Sequence, residues 1–309
     1  MMRWTLDATG KTDRGKVRDR NEDQFLIATT RRTLEIDHCS LASLEDTSLA
    51  AVEGTLLVVA DGMGGQGHGD LASKVAVQAM LEALCGIHPQ SIFSALPPDE
   101  DTSGAVDEVD EDDDHVPPSP RRRKRRFPDT VKGVRSVLSE ALQHSNRRVC
   151  EAGERTNGTI GTTMTLAYMV PPHLYLGHVG DSRCYLHTED RLIRLTQDHT
   201  VAEQLKSAGI TVREESQFHH VLRSALGQNE EGISESQVQR LSLRSGDTLL
   251  LCSDGLIRHV TDDEIQQRLA QPCPTKAICD ELVGLALERG AVDNATVVIA
   301  RIMAEPAAA

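Results

Sequence analysis

Four apolar runs in this chain each meet an aspartate at one end, and this pattern restricts its folding more than any other feature. Residues 55–61 read TLLVVAD, with Gly62 next. Residues 173–181 read HLYLGHVGD, residues 248–254 read TLLLCSD, and Asp293 opens DNAT just before the last apolar run. Short runs rich in leucine and β-branched residues are strand signals. A single Asp-Gly or Asp-Asn step makes a turn and needs no further explanation. Asp61, Asp181, Asp254 and Asp293 taken jointly say more, because strand ends at one edge of a sheet converge in space. Glu22 and Asp23 add two carboxylates between the first strands. Carboxylates gathered in a cleft repel one another strongly unless a cation lies between them. Oxygen donors without His or Cys suit hard cations, Mg²⁺ or Mn²⁺, rather than zinc. Arg18, four residues before Glu22, offers a planar fork suited to a phosphate; the ordinary alternative is a surface arginine.

The rest of the chain sets the frame around these residues. Its 309 residues have ample length to bury a core. Residues 3–10 and 24–30 read as short strands, and residues 31–54 as a loop-rich excursion. Strands are expected over 55–61, 162–170, 174–180, 184–187, 247–253 and 295–303. Helices are expected over 70–85, 129–154, 199–209, 262–270 and 274–289, with a polar, irregular stretch over 210–232. Strands and helices are grouped rather than alternating, which favours an α+β fold over a doubly wound sheet.

Residues 97–128 break the pattern. Ten acidic residues lie between Asp99 and Asp114, and Arg121–Arg126 is an unbroken basic run. Like-charge blocks cannot bury apolar surface, so a disordered insert is expected, with local pairing of the two blocks or a nuclear-localisation patch as lesser readings. The chain carries a net charge of −14, and its body stays acidic when the insert is set aside. That charge argues against nucleic acid and anionic membrane as partners. Seven dispersed cysteines without a CxxC pair suit reduced thiols in the cytoplasm. The first sixteen residues lack an apolar segment of the kind a signal peptide needs, and no run approaches a bilayer span.

These residues also carry a resemblance. GKVRDRNEDQF (15–25), VVADGMGG (58–65), GTTMTLAY (161–168), GDSRCYL (180–186), LTQDHT (195–200), SALG (224–227), LLLCSDGL (249–256) and DNATVV (293–298) follow one another in order. Each is weak alone; together they resemble the motif set of type 2C metal-dependent serine/threonine phosphatases, over about residues 5–303. The resemblance implies a four-layer αββα sandwich: two mainly antiparallel sheets face to face, with helices outside. It implies that Asp61 bridges two Mn²⁺ or Mg²⁺ ions, that the Gly62 carbonyl and Glu22 serve one ion, and that Asp254 and Asp293 hold the other. Asp23 would orient a metal-bound water, and Asp181 with Asp254 would form a third, weaker metal site. Arg18 would hold the substrate phosphate while a hydroxide shared by the two ions attacks phosphorus. The expected substrates are phosphorylated proteins made by a serine/threonine kinase, and a monomer is expected. Residues 198–232 match the flap beside the active site. Met63 stands where some members carry His, so no side-chain general acid carries over; Ser224 stands where members often carry Arg, which bears on substrate choice.

Three rival readings are weaker. Residues 62–67 form a GxGxxG, but Asp61 would face the pyrophosphate, and Glu82 lies inside a helical run instead of ending a second strand. A pseudophosphatase that binds phosphoprotein without cleaving it would be expected to lack ligands that this chain keeps. His219 and His220 are adjacent, so in an extended segment they point to opposite faces and suit a flap surface better than a metal pair.

Overall fold

The computed structural model describes residues 2–31, 33–39, 54–64, 68–85, 131–156, 160–213, 216–228, 233 and 238–306. The expected insert at 97–128 lies outside the described residues. Twelve strands among the described residues form two sheets, and every strand pair is antiparallel.

The first sheet runs β1 (Met2–Asp13), β12 (Ala295–Pro306), β11 (Thr248–Cys252), β8 (Arg183–Thr188) and β9 (Arg191–Arg194). The second runs β10 (Gln239–Ser242), β7 (His173–Val179), β6 (Met164–Val170), β4 (Gly54–Gly64), β2 (Asp23–Arg31) and β3 (Thr33–Cys39). The short β5 (Ile160–Thr162) pairs with the far end of β4.

Strand periodicity explains the layers. Along β4, Leu57 and Val59 point to the interface between the sheets, where they pack with Leu249, Leu251, Val298 and Ala300. Leu56, Val58 and Ala60 point the other way, onto Ala76 and Met80 of α1 (Gly69–Cys85) and Leu138 and Leu142 of α2 (Val131–Arg155). Leu250 and Cys252 of β11 likewise face outward, onto Ile265 of α5 (Asp262–Leu269) and Ile278 and Leu282 of α6 (Thr275–Glu288). A strand covered on both faces reads as a continuous apolar run, as residues 55–60 do. Each of these leucines is fully buried, so truncating one to alanine costs about 2–5 kcal/mol. The expected α+β sandwich, with two antiparallel sheets between helical layers, is present.

Several expectations need correction at the edges. Part of the predicted loop at 31–54 is strand β3, and β9 and β10 had no sequence signal. All three are edge strands with one neighbour each. An edge strand lacks cover on one side, so it carries no long apolar run; β9 and β10 contain no fully buried residue. The helix expected over 199–209 is α3 (Val201–Ser207). The Thr200 side chain caps it by accepting from Glu203 N–H, and Gly209 at φ 77° ends it. A short helix, α4 (Asp254–Ile257), follows β11 directly.

Candidate metal and phosphate site

Antiparallel pairing decides where the carboxylates meet. Asp23 opens β2 and sits opposite Asp61 in the β2–β4 register. Asp254 follows β11, and Asp293 precedes β12, its antiparallel neighbour. Asp181 lies in the turn between β7 and β8. Strand ends of opposite polarity are therefore brought to one end of the sandwich.

Asp61 is held by its backbone. Its N–H donates to Thr163 Oγ1 at 3.0 Å, and its carbonyl accepts from Thr163 N–H and from the Thr162 hydroxyl, both at 2.9 Å. β4 continues past Asp61 to Gly64 through its pairing with β5, so Asp61 lies inside the strand and not at its end, as the sequence suggested. The side chain keeps part of its surface open, while the surrounding protein pushes its pKa well above the usual carboxylate range. Burial is the main cause; the charges of Asp23, Asp254, Asp181 and Asp293 add to it.

Gly62 is required by space. A Cβ there would lie 2.0 Å from the Gly69 carbonyl oxygen and 2.6 Å from that of Glu22. Its N–H donates to the Glu22 carbonyl at 3.2 Å, and the Glu22 Oε1 accepts from Gly69 N–H, also at 3.2 Å, at the start of α1. Glu22 thus locks the β2 entrance to the helix start; burial raises its pKa.

Asp23 is fully buried in a position that links the two sheets. Its Oδ2 accepts from Ser253 Oγ at 2.7 Å and from Thr296 Oγ1 at 2.6 Å, while its Oδ1 is buried with no hydrogen-bond partner. Burial pushes its pKa up to about 7, against the lowering effect of the two hydroxyls. Asp181 is also pushed up to about 7, first by burial and then by Asp254. Gly180, at φ 110°, makes the turn into Asp181; a Cβ there would press on Thr163 at 2.5 Å.

Two arginines complete the charge balance. Arg18 Nη2 donates to Asp293 Oδ2 at 2.8 Å, and that bond is the main cause that raises its pKa. Arg258 donates through Nε and Nη2 to Asp254 Oδ2, while Asp254 itself is raised, mainly by burial. Among the described residues no three acidic, imidazole or thiol side chains close into a finished cation cage, and these arginines hold two of the acids. The donor set still fits a hard divalent cation. It is all oxygen, it is crowded enough to raise its own proton affinity, and it includes the unsatisfied Oδ1 of Asp23.

The sequence reading missed Arg258 and gave no role to Thr163, Ser253 and Thr296, which it quoted only inside motifs. It quoted Asn294 only inside a motif. Asn294 accepts from Glu22 N–H through Oδ1 and donates from Nδ2 to the Arg14 and Arg20 carbonyls, so it fixes the loop that carries Arg18. Ser253 and Thr296 lie near the quoted Asp254 and Asp293 in sequence, but their partner Asp23 sits on the other sheet.

The segment around His199 and Arg223 touches the site through backbone. His199 N–H donates to the Gly180 carbonyl at 2.7 Å, and Arg223 N–H to the His199 carbonyl at 2.8 Å. A cleft of about 250 Å³ lies between them, lined in part by Asp181, Asp254, Lys206, His219 and His220. His219 Nε2 lies 3.2 Å from the Arg213 carbonyl.

Other chemistries fit poorly. Cys184, Cys252 and Cys279 are buried and their thiols are pushed up in pKa by burial, so none is poised as a nucleophile. Cys150 is only partly buried. Glu82 faces α2, within 3.4 Å of His144 and 3.8 Å of Arg148, which leaves the GxGxxG without its ribose partner.

Comparison with known proteins gives the same picture. The family model for protein phosphatase 2C matches residues 42–278. The serine/threonine phosphatase stp of Listeria innocua is 27% identical over 300 residues, covering 95% of each chain. The crystal structure of the Mycobacterium tuberculosis serine/threonine phosphatase PstP/Ppp superposes with a TM-score of 0.67 at 26% identity, covering 96% of this chain and 98% of that one. The catalytic domain of PstP in complex with two manganese ions gives 0.66 at 26% identity, covering 97% and 100%. The chain belongs to the protein phosphatase 2C family, as an enzyme of the protein-serine/threonine phosphatase class.

Proposed function

We propose that this chain hydrolyses phosphoserine and phosphothreonine monoesters in proteins, at a site that takes two Mn²⁺ or Mg²⁺ ions. The observation that carries this reading is the gathering of Asp61, Asp23, Asp181, Asp254 and Asp293 at one end of the sandwich, close enough that the acids raise the proton affinity of Asp61. Asp61 would serve both ions, with the Gly62 carbonyl and Glu22 on one side and Asp254 and Asp293 on the other. Asp181 with Asp254 would make a third, weaker site. When bound, the ions supply Lewis-acid charge and activate water as the nucleophile.

The remaining work falls to the chain's own residues. Thr162 and Thr163 fix the backbone of Asp61, and Asn294 fixes the loop behind Arg18. Arg18 is half-exposed and shifts between Asp293 and the substrate phosphate, where its fork takes up charge on the equatorial oxygens. Asp23, whose Oδ1 has no hydrogen-bond partner, would accept a hydrogen bond from a water of the site and orient it. Met63 supplies no proton to the leaving alkoxide, so water takes that part. Among the described residues no helix is long and apolar enough to cross a membrane. A monomer in the cytoplasm, acting opposite a serine/threonine kinase, completes the reading.

The test is turnover of p-nitrophenyl phosphate and of a phosphothreonine peptide with and without Mn²⁺. Binding of the phosphopeptide without turnover at saturating Mn²⁺ would favour a pseudophosphatase instead. Turnover that survives exhaustive chelation would reject the metal assignment.

A further inference from the structure

Among the described residues, the exposed large apolar side chains are Val17, Ile193, Ile210, Phe218, Val221, Val292 and Met303. Single exposed apolar residues need no explanation. Their placement here does, because five of the seven lie next to the phosphate site or in the flap.

The segments that carry Val17 and Val292 are held together. Lys16 N–H donates to the Ala291 carbonyl at 2.9 Å, and Arg18 Nη2 donates to Asp293 Oδ2 at 2.8 Å. The two contacts bracket Val17 on one segment and Val292 on the other. Gly15 packs so closely on 291–293 that a Cβ would lie 2.4 Å from the Asp293 carbonyl oxygen. The two segments therefore run in contact, yet Val17 is 65% exposed and Val292 46% exposed. Around this pair the exposed charges of residues 14–20 are mostly basic, Arg14, Lys16, Arg18 and Arg20 against Asp19, on a chain whose net charge is −14.

We infer that Val17 and Val292 form an apolar ledge that seats an apolar side chain flanking the phosphorylated residue of a protein substrate. This rests on the phosphatase reading and extends it to substrate choice. The ledge is continuous with Arg18, the group that receives the phosphate, so a bound phosphoresidue places its chain neighbours against it. The basic rim complements the negative charge of a phosphorylated segment and steers it there. A polar neighbour would leave the valines wet, whereas a leucine would bury them.

The experiment compares phosphothreonine peptides that carry leucine or glutamine immediately before or after the phosphothreonine, with p-nitrophenyl phosphate as a substrate too small to reach the ledge. Wild-type kcat/KM should favour leucine on at least one side by about fivefold, as expected for one side chain on a half-open apolar surface. In V17S/V292S that ratio should fall to near one, and in the isosteric V17T/V292T it should fall as well. Equal rates for all peptides with the wild-type enzyme would overturn the ledge, as would a leucine preference that survives in both variants. Failure to turn over p-nitrophenyl phosphate and every peptide would instead overturn the parent reading, and the ledge with it.

Discussion

Thr296 on one sheet donates its hydroxyl to Asp23 on the other at 2.6 Å. Ser253 donates to the same Oδ2, so a fully buried carboxylate ties the two halves of the sandwich together at the candidate site. A metal-binding end needs its two walls held at a set distance. Hydroxyls on a buried acid do this better than apolar contact, because they have direction.

Thr296→Val keeps the shape and removes one donor. It should cost about 1–3 kcal/mol, since Asp23 loses one of its two partners in a buried setting. Urea unfolding measures this. A loss below about 0.5 kcal/mol, a typical surface value, would mean that the sheets are not coupled through Asp23.

Asp61→Asn should abolish turnover and leave the fold intact, because a neutral amide cannot offset two dications. It should also raise the melting temperature of the metal-free protein, since it removes the charge that burial and four neighbouring acids disfavour. Retention of more than about a tenth of wild-type turnover at saturating Mn²⁺ would refute the assignment, a tenth being roughly 1.4 kcal/mol of barrier. Asp254→Asn and Asp293→Asn should act similarly, with weakened metal affinity.

Arg18→Ala should lower kcat/KM by about 10–150-fold, the loss of one charge-assisted pair at roughly 1.5–3 kcal/mol. Calorimetric Mn²⁺ affinity should not fall, because Arg18 competes with a cation for Asp293. A collapse of metal affinity would show that Arg18 positions the acids and not the phosphate.

The metal-free protein should be more stable near pH 5.5 than near pH 7.5. Asp23 and Asp181 titrate at about 7 when folded, above the ordinary carboxylate value of about 4. The stability tied to their protonation is complete below about 4 and is lost as pH rises through about 7. Three histidines oppose this: burial lowers His173, His178 and His187, His178 to about 3, so they cost stability as pH falls below about 6.5. The raised acids Glu22, Asp23, Asp61, Asp181 and Asp254 outnumber them. Thermal melts in chelator across this range check the sign, and Mn²⁺ should erase the loss at pH 7.5.

Replacing residues 99–126 with a short Gly/Ser linker should leave aryl phosphate turnover within about threefold, since doubling a loop's length changes closure by only about 0.6 kcal/mol. Helices α1 and α2, which border this stretch, pack against each other without it. A larger loss with unchanged metal binding would place the insert in the active site.

The sequence alone located the carboxylates, because each lies against an apolar run, and a strand buried on both faces must be apolar throughout. It also located α1, α2, α5 and α6 and the α+β class, and its resemblance to the phosphatases implied the αββα sandwich. The edge strands β3, β9 and β10 escaped it, because none of them carries a continuous apolar run. The tertiary structure alone decided that Asp23 binds Ser253 and Thr296, that Arg18 holds Asp293, and that the segment carrying Val17 meets the one carrying Val292. Each pair is joined across hundreds of residues or between sheets, or is chosen by competition among charges. Local pattern reports which face of an element is buried; only the folded chain fixes which partner waits there.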